Sequence, residues 1–434
     1  MLFQLFCMDI QSIHNLFLKC DSVSIDTRKI ENNSLFVALK GANFDANTFA
    51  NEALKKGASY VIIDNQDYYI DARTIVVDDS LIALQELSKF HRKYLNLPII
   101  ALTGSNGKTT TKELINVVLS KKYKTKATEG NLNNHIGVPL TLLSFNSDTE
   151  IGIVEMGANH KKEIKFLCQI ATPDYGYITN FGKAHLEGFG GIEGVIEGKS
   201  EMYSYVLANN KMAFVNQNDK IQVQNSKKIK SYSFGIDALT ANINIDYVKA
   251  NPFVNIKYSG VEIQTHLIGL YNANNINAAL CIGKYFEVDT KDIKDALESY
   301  IPDNNRSQLL NKGTNDIILD AYNANPSSMS VAIENFNQLE KLNKIMILGD
   351  MFELGSESQK EHKAIVELVA SSNIRICHFV GREFYETKII NDKLIFHDTF
   401  NSLSNALEDK TIENATLLIK GSRGMALERI LNLL

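Results

Sequence analysis

Cysteine is sparse and scattered in this chain of 434 residues, with five thiols at Cys7, Cys20, Cys168, Cys281 and Cys377. Their odd number, wide spacing and lack of any Cys-x-x-Cys pair exclude a disulfide framework and a zinc-thiolate site, so reduced, buried thiols are expected. Proline is thin as well, at six residues, and neither a low-complexity tract nor an internal repeat is visible. What remains is an ordinary globular composition, long enough for two or three domains with a core each. Long basic runs are missing and the formal net charge is -5. That argues against nucleic acid as a main partner, because neutralising phosphates takes clustered Lys and Arg. The densest basic stretch, Lys121-Lys122-Tyr123-Lys124-Thr125-Lys126, reads as a solvated helix end. No apolar run is long enough to span a membrane. The N-terminus opens with apolar residues but lacks a basic segment, is interrupted by Asp9 and offers no small-residue cleavage site. A cytoplasmic protein without membrane insertion is expected.

Against that plain background one stretch stands out: Ile99-Ile100-Ala101-Leu102-Thr103-Gly104-Ser105-Asn106-Gly107-Lys108-Thr109-Thr110. An apolar strand runs through a glycine-bearing turn into Lys-Thr-Thr at a helix start. Gly104 and Gly107 allow backbone N–H groups around Ser105 and Asn106 to turn inward on phosphate oxygens, and the helix adds the positive end of its dipole. Lys108 supplies a point charge for the outer phosphates, and the Thr109 hydroxyl, followed by Thr110, can ligate magnesium. The usual phosphate-loop pattern places glycine where Leu102 stands, so this is a shortened variant. Apolar positions at Leu114, Val117 and Val118 predict a helix over Thr111 to Ser120.

The rest of the chain alternates in the same way. Residues 1–96 carry short strand signals at Ser34 to Leu39, Tyr60 to Ile63 and Thr74 to Val77, with a helix at Thr48 to Lys56. From Leu97 strands and helices alternate through Ile151 to Glu155, Lys161 to Ala171 and Tyr175 to Thr179, and a further helix ends at Tyr203. A second alternation starts at Asp316, with strands at Ile317 to Ala321, Lys344 to Leu348, Ile376 to Val380 and Leu417 to Lys420. Helices fall at Ser328 to Leu339, Gln359 to Ala370 and Met425 to Leu434. The pattern is α/β, with parallel sheets covered by helices.

Acidic residues at the carboxyl ends of such strands face the ligand crevice, which makes Glu155 a natural magnesium partner. His185 follows another strand end in a Gly-rich loop, where spacing alone leaves a ligand role and a structural one equally open. By their own spacing Lys199 and Arg306 read as surface residues. Asn272 and Asn275 read as polar residues at a helix start.

Several segments in order resemble the Mur ligase family: Thr103 to Thr110, Gly130-Asn131-Leu132-Asn133-Asn134-His135-Ile136-Gly137-Val138-Pro139, Glu155-Met156-Gly157 and Ala184-His185-Leu186-Glu187-Gly188-Phe189-Gly190. Within that family, Asp320 to Met329, Leu348 to Gly355 and Lys420-Gly421-Ser422-Arg423 are similar to members that join D-alanyl-D-alanine to UDP-N-acetylmuramoyl-tripeptide. The resemblance implies three domains: a small N-terminal α/β domain for the UDP-sugar (1–96), a central parallel-sheet ATPase (97–304) and a C-terminal Rossmann-like domain (305–434). It also implies ATP and Mg2+, small-molecule substrates and a monomer. Lys199 stands where the family has a carbamylated lysine, an anionic ligand for a second magnesium beside Thr109, Glu155 and His185. Asn272 and Asn275 match an adenine-contacting pair. Arg306 and Asp320 match residues that meet the phosphates and ribose, and Asp26-Thr27-Arg28 together with Leu35 to Gly41 match the UDP-binding segment. By the same resemblance Asn134, Asn323 and Asn325 are substrate-side residues. Lys108, His185 and Lys199 form the implied catalytic set.

The chain departs from the family at three places. Asp45-Ala46-Asn47 replaces an Asp-Gly-His, Tyr271 stands where His is frequent, and Asn305 precedes Arg306 where Gly is usual. The implied chemistry is amide formation through an acyl phosphate, since a carboxylate must gain a leaving group before an amine attacks it. A ligase adding the third amino acid should carry Asp-Asn-Pro-Arg, which is missing here. A folylpolyglutamate synthase should lack the Asp26-Thr27-Arg28 type of domain. A guanine-nucleotide switch should carry Asn-Lys-x-Asp, and Asn343-Lys344-Ile345-Met346 fails at its last position.

Overall fold

The computed structural model describes residues 8–303, 305–408 and 412–434. Cys7 and residue 304, the expected end of the central domain, lie outside them. The fold is mixed α/β with parallel sheets, as the alternation of the sequence predicts. The chain divides into two compact units: residues up to Leu102 with Tyr123–Gly157 and Ile164–Gly176 form one, and Thr103–Lys122, Ala158–Glu163 and everything from Tyr177 onward form the other.

In the first unit, strands Ser22–Ser24, Ser34–Val37, Ala58–Ile63 and Thr74–Val76 form a parallel sheet in that order. Both faces are covered. Leu35, Val37 and Ile62 pack against Ile13, Leu84 and Leu87, whereas Phe36, Val61 and Ile63 pack against Ala50, Ala53 and Leu54. Helix Ser80–Leu95 starts where Asp79 accepts from the Ile82 N–H and stops at Asn96, whose φ is +49°. Its inward stripe runs through Ala83, Leu84, Leu87, Ser88 and His91 at helical spacing. The unit also pairs Ile99–Thr103 with Ile151–Glu155, which in turn pairs with Thr125–Ala127, all parallel. Strands Ile99–Thr103 and Ile151–Glu155 are buried throughout, as a sheet covered on both faces requires.

In the second unit, Met212–Asn216, Lys230–Ile236 and Ile243–Ile245 are parallel neighbours. Beyond them lies a three-stranded antiparallel sheet, Tyr247–Ala250, Phe253–Tyr258 and Val261–Ile268, which the strand–helix alternation of the sequence does not reveal. Its signal is local: Ser259 and Gly260 have φ of +50° and +80°, the two-residue turn that joins twisted strands, and Val261–Ile268 alternates buried and exposed. The last sheet has the order Gln308–Lys312, Asn315–Asp320, Thr416–Lys420, Lys344–Gly349, Ile376–Val380, Leu394–His397. Only its first pair is antiparallel. Thr416–Lys420 enters between strands that precede it in sequence, so the carboxyl ends bearing Asp320, Lys420 and Gly349 meet at a switch in strand order.

One expected element differs. Met425 to Leu434 is not an α-helix: short 3-10 turns span Arg423–Met425 and Leu427–Leu433, broken at Ala426, whose φ is +47°. Apolar spacing alone does not separate the tighter helix from the wider one. Among the described residues no cysteine forms a disulfide; Cys168, Cys281 and Cys377 are buried as expected, whereas Cys20 is only half-buried.

Candidate active site

The phosphate loop is shaped by backbone requirements that only glycine meets. Gly104 has φ of +143°, and a Cβ there would run into the Thr179 hydroxyl; Gly107, at +78°, is the N-cap of helix Lys108–Leu119, where a Cβ would lie 2.5 Å from Asn275 Oδ1. The segment after strand Tyr175–Ile178 holds the loop in place. Thr179 Oγ donates to the Asn106 carbonyl (2.6 Å), Asn180 accepts from the N–H groups of Ser105 and Asn106 (both 3.1 Å), and Ser105 Oγ donates to the Gly182 carbonyl (2.8 Å). Lys108 Nζ lies over the turn, donating to Gly104 O at 2.8 Å and Ser105 O at 3.3 Å. Thr109 and Thr110 are buried at the helix start. An amide chain runs from there: Thr111 Oγ donates to Asn275 Oδ1 (3.0 Å), Asn275 Nδ2 to Asn272 Oδ1 (2.8 Å), and Asn272 Nδ2 to the Ile268 carbonyl (2.8 Å). Asn272 and Asn275 therefore brace the phosphate-loop helix as well as standing at a helix start.

Lys199 overturns the reading of its spacing. It lies on the inward face of helix Ile192–Ala208 with Val195, Met202 and Tyr203, and is 1% exposed. Its Nζ donates to the Ala158 carbonyl at 3.0 Å and sits 5.1 Å from the centre of the Phe189 ring. Burial, reinforced by the charge on Lys108, pushes its pKa well below the usual lysine value. An amine held neutral keeps its lone pair and can attack CO2, so this environment suits carbamate formation. The polar run Glu197-Gly198-Lys199-Ser200-Glu201 gives no hint of this, because a single buried position in a helix is fixed by what packs against it.

His185 is the N-cap of the short helix Leu186–Phe189 with φ of +52°, and its Nδ1 is hydrogen-bonded to a Glu353 carboxylate oxygen. That bond holds the Glu353 carboxyl below the ordinary glutamate range.

Glu155, in the first unit, is the last residue of its strand and 1% exposed. Its Oε1 accepts from Asn133 Nδ2 at 2.7 Å, and its Oε2 is buried with no hydrogen-bond partner. A buried carboxyl oxygen left unpaired is costly unless a ligand completes it, and an oxygen donor suits magnesium.

In the C-terminal part, Asp320 and Lys420 pair across adjacent strand ends at 2.6 Å, and Asp320 also accepts from the Ser307 N–H at 3.2 Å. The Arg306 guanidinium stacks 3.6 Å from the centre of the Tyr322 ring, and its buried Nε has no partner. It is not the plain surface residue its spacing suggests.

Three family descriptions match in succession: "Mur ligase family, catalytic domain" over residues 19–92, "Mur ligase middle domain" over 102–283 and "Mur ligase, glutamate ligase domain" over 305–423. A UDP-N-acetylmuramoyl-tripeptide--D-alanyl-D-alanine ligase of Bacillus subtilis (strain 168) is 33% identical over 418 residues, covering 94% of this chain and 92% of that protein. The chain belongs to the Mur ligase family. A crystal structure of MurF from Acinetobacter baumannii superposes with a TM-score of 0.83 at 31% identity, covering 95% of this chain and 92% of that one. MurF ligase from Thermotoga maritima in complex with ADP gives 0.82 at 26% identity, covering 96% and 97%.

Within this Mur ligase, the second unit gathers the phosphate loop, Lys199, His185, Asn272, Asn275, Arg306, Asp320, Asn323 and Asn325. Asn323 Oδ1 accepts from the Ala324 N–H (2.9 Å), and its carbonyl accepts from Lys420 (3.2 Å). Asp26, Thr27, Arg28, Asn134 and Glu155 belong to the first unit. Asp26 caps a short turn and holds the 86%-exposed Arg28 guanidinium bidentately, at 2.9 and 2.7 Å. Asn134 Oδ1 accepts from the N–H groups of Ile136 and Gly137, where the chain enters helix Gly137–Ser144. At the departure Asp45-Ala46-Asn47, Asn47 is fully buried and bridges Asp45 (2.6 Å) and Asp64 (2.7 Å), with Lys40 on Asp64 at 2.8 Å. Tyr271, at the second departure, reaches Ser307 Oγ at 2.6 Å. Residue-by-residue reading missed Thr179, Asn180, Asn133 and Glu353. Asn133 and Glu353 lie in segments that carry the family resemblance and Thr179 and Asn180 do not, but no spacing singles out any of the four, since their contacts come from strand ends and loops brought together by the fold.

Proposed function

We infer that this chain is an ATP-dependent ligase that joins D-alanyl-D-alanine to UDP-N-acetylmuramoyl-tripeptide through an acyl phosphate, releasing ADP and phosphate in peptidoglycan precursor synthesis. The observation that carries this reading is the end-to-end match to ligases of that name, at 33% identity over 94% of the chain. The phosphate loop and the MurF–ADP likeness support ATP as the nucleotide. Residues 1–96 take the UDP-sugar, 97–304 the nucleotide and 305–434 the incoming dipeptide. The reaction is assigned to the cytoplasm, where ATP is made; among the described residues no helix is long and apolar enough to cross a membrane.

The tripeptide's terminal carboxylate attacks the γ-phosphorus of ATP. An oxygen–phosphorus bond forms, the bond to ADP breaks, and ADP leaves. Lys108 and the N–H groups at the start of helix Lys108–Leu119 hold the phosphate oxygens as charge moves outward, whereas the Ser105 and Asn106 N–H groups, expected to turn in on phosphate, are taken by Asn180. Magnesium, when bound, would offset phosphate charge; the donors that suit it are the Thr109 hydroxyl, His185 and a carbamate on Lys199 in the second unit and, in the first unit taken by itself, Glu155 Oε2. Asn272 and Asn275 take the adenine, while Arg306 and Asp320 take the phosphates and ribose. Asp26, Thr27 and Arg28 face the UDP-sugar, and Asn134, Asn323 and Asn325 face the substrates. The dipeptide's amine, in its neutral form, then attacks the acyl carbon and loses a proton. The tetrahedral intermediate expels phosphate as the amide forms. Water must be kept out, because hydrolysis of the acyl phosphate would waste the ATP.

The test is phosphate release from ATP by the purified protein with magnesium and UDP-N-acetylmuramoyl-tripeptide, with D-alanyl-D-alanine compared against single D-alanine and glutamate. Release that needs the dipeptide supports the assignment, and release indifferent to the amine would overturn it.

A further inference from the structure

His185 and Glu353 are 168 residues apart, and both hold the left-handed backbone conformation that residues other than glycine rarely adopt, with φ of +52° and +61°. Each is held there by its surroundings. The Glu187 N–H donates to the Glu353 carbonyl at 3.3 Å, so the two loops also meet through backbone. The loop bearing Glu353 is anchored on the three residues that lead into it by bonds that do not involve its carboxylate. The Met351 N–H donates to His362 Nε2 (3.0 Å) and the Phe352 N–H to Ser422 Oγ (2.9 Å), while the Asp350 carboxylate accepts from the N–H groups of Glu383 (3.0 Å) and Phe384 (2.9 Å). Glu353 is thus presented on a fixed platform, aimed at Nδ1 of one histidine.

We propose that Glu353 is a positioning residue: by accepting the Nδ1 proton of His185 it fixes the ring's tautomer and orientation so that the Nε2 lone pair is the one offered to a divalent cation. A ring nitrogen that donates to a carboxylate leaves the other nitrogen basic and unprotonated, the arrangement in which histidine ligates metals. Among the described residues Nε2 of His185 makes no hydrogen bond. The strand that leads into Glu353, Lys344–Gly349, belongs to the C-terminal sheet, whereas His185 precedes helix Ile192–Ala208. Competence of His185 therefore depends on the C-terminal segment being seated. This deepens the proposed reaction and rests on His185 serving the metal in it.

The experiment titrates Mn2+ against the full-length protein saturated with a non-hydrolysable ATP analogue, reading free Mn2+ by electron paramagnetic resonance. Loss of an outer partner of a metal-bound histidine weakens metal affinity roughly 10–100-fold, so Glu353→Ala is expected to weaken Mn2+ binding within that range. Glu353→Gln, whose amide oxygen still accepts from Nδ1, should recover most of the loss. The double variant His185→Ala/Glu353→Ala should bind no more weakly than His185→Ala alone. Unchanged or tighter Mn2+ binding by Glu353→Ala, a Gln variant as weak as Ala, or additive losses in the double variant would each overturn the proposal. The amine dependence of phosphate release by the unaltered enzyme tests the reaction separately, and metal titration is indifferent to which amine is joined.

Discussion

Asn325 Nδ2 donates to Asn106 Oδ1 at 2.7 Å, tying the cap of a C-terminal helix to the middle of the phosphate loop. The same side chain does local work, because its Oδ1 accepts from the Ser328 N–H at 2.9 Å and starts helix Pro326–Gln338.

The two roles of Asn325 separate by substitution. Asn325→Ala removes both and should lower stability by about 1 kcal/mol, the usual worth of an N-cap. Asn325→Asp keeps the cap but replaces the amide donor with an anion beside the loop. It should raise the KM for ATP several-fold at nearly unchanged thermal midpoint. Equal KM values for the unaltered enzyme and the Asn325→Asp variant would show that the link to Asn106 has no part in nucleotide binding.

Glu155→Gln is expected to divide stability from metal binding. The amide oxygen can still accept from Asn133, while an uncharged NH2 group replaces the unpartnered carboxyl oxygen Oε2, so the buried anionic oxygen is lost. Without nucleotide the thermal midpoint should stay level or rise, and the further rise on adding ATP with magnesium should shrink. Calorimetry with and without the ligands reads both; a lower midpoint in the ligand-free protein would contradict the account of Oε2.

Lys199→Ala should abolish turnover, with partial rescue by short carboxylic acids that stand in for the carbamate. Lys199→Met keeps the buried stem and removes the amine, so it too should be inactive but fold at least as firmly. The depressed pKa of Lys199 means that the folded state binds fewer protons than the unfolded chain between the folded pKa and about 10.4. Stability of the unaltered protein should therefore gain on Lys199→Met as pH rises through that window, measured in CO2-free buffer. Full activity of either variant would exclude the carbamate.

A buried histidine pair sets acid sensitivity in the first unit. His14 Nε2 lies 3.0 Å from His91 Nδ1, and His91 Nε2 lies 2.9 Å from the Phe145 carbonyl, so His91 accepts from His14. Burial and the neighbouring His91 push His14 down to about 4. Between about 4 and 6.5 the unfolded chain binds more protons, so stability falls on acidification through that window, by on the order of 1–3 kcal/mol. His14→Gln, which keeps a donor but does not titrate, should flatten this loss in urea unfolding at pH 4.5 against pH 7. Parallel pH curves for the two proteins would refute it.

By itself the sequence determined the parts whose chemistry is local. Strand, glycine turn and Lys-Thr-Thr at residues 99–110 specify a phosphate loop because backbone conformation and helix start are set by adjacent residues. Glu155 was legible as the acidic end of an apolar strand, whereas its burial and its unpartnered Oε2 were not. Only the tertiary structure decided that Lys199 is buried, that Arg306 stacks on Tyr322, that Asn325 reaches Asn106 and that Glu353 meets His185. Those relationships join residues far apart in the chain, and neither periodicity nor spacing encodes which distant loop will pack against which. The same limit applies to Leu427–Leu433: an apolar pattern calls for burial, but the left-handed Ala426 and the neighbouring sheet decide how tightly the chain coils.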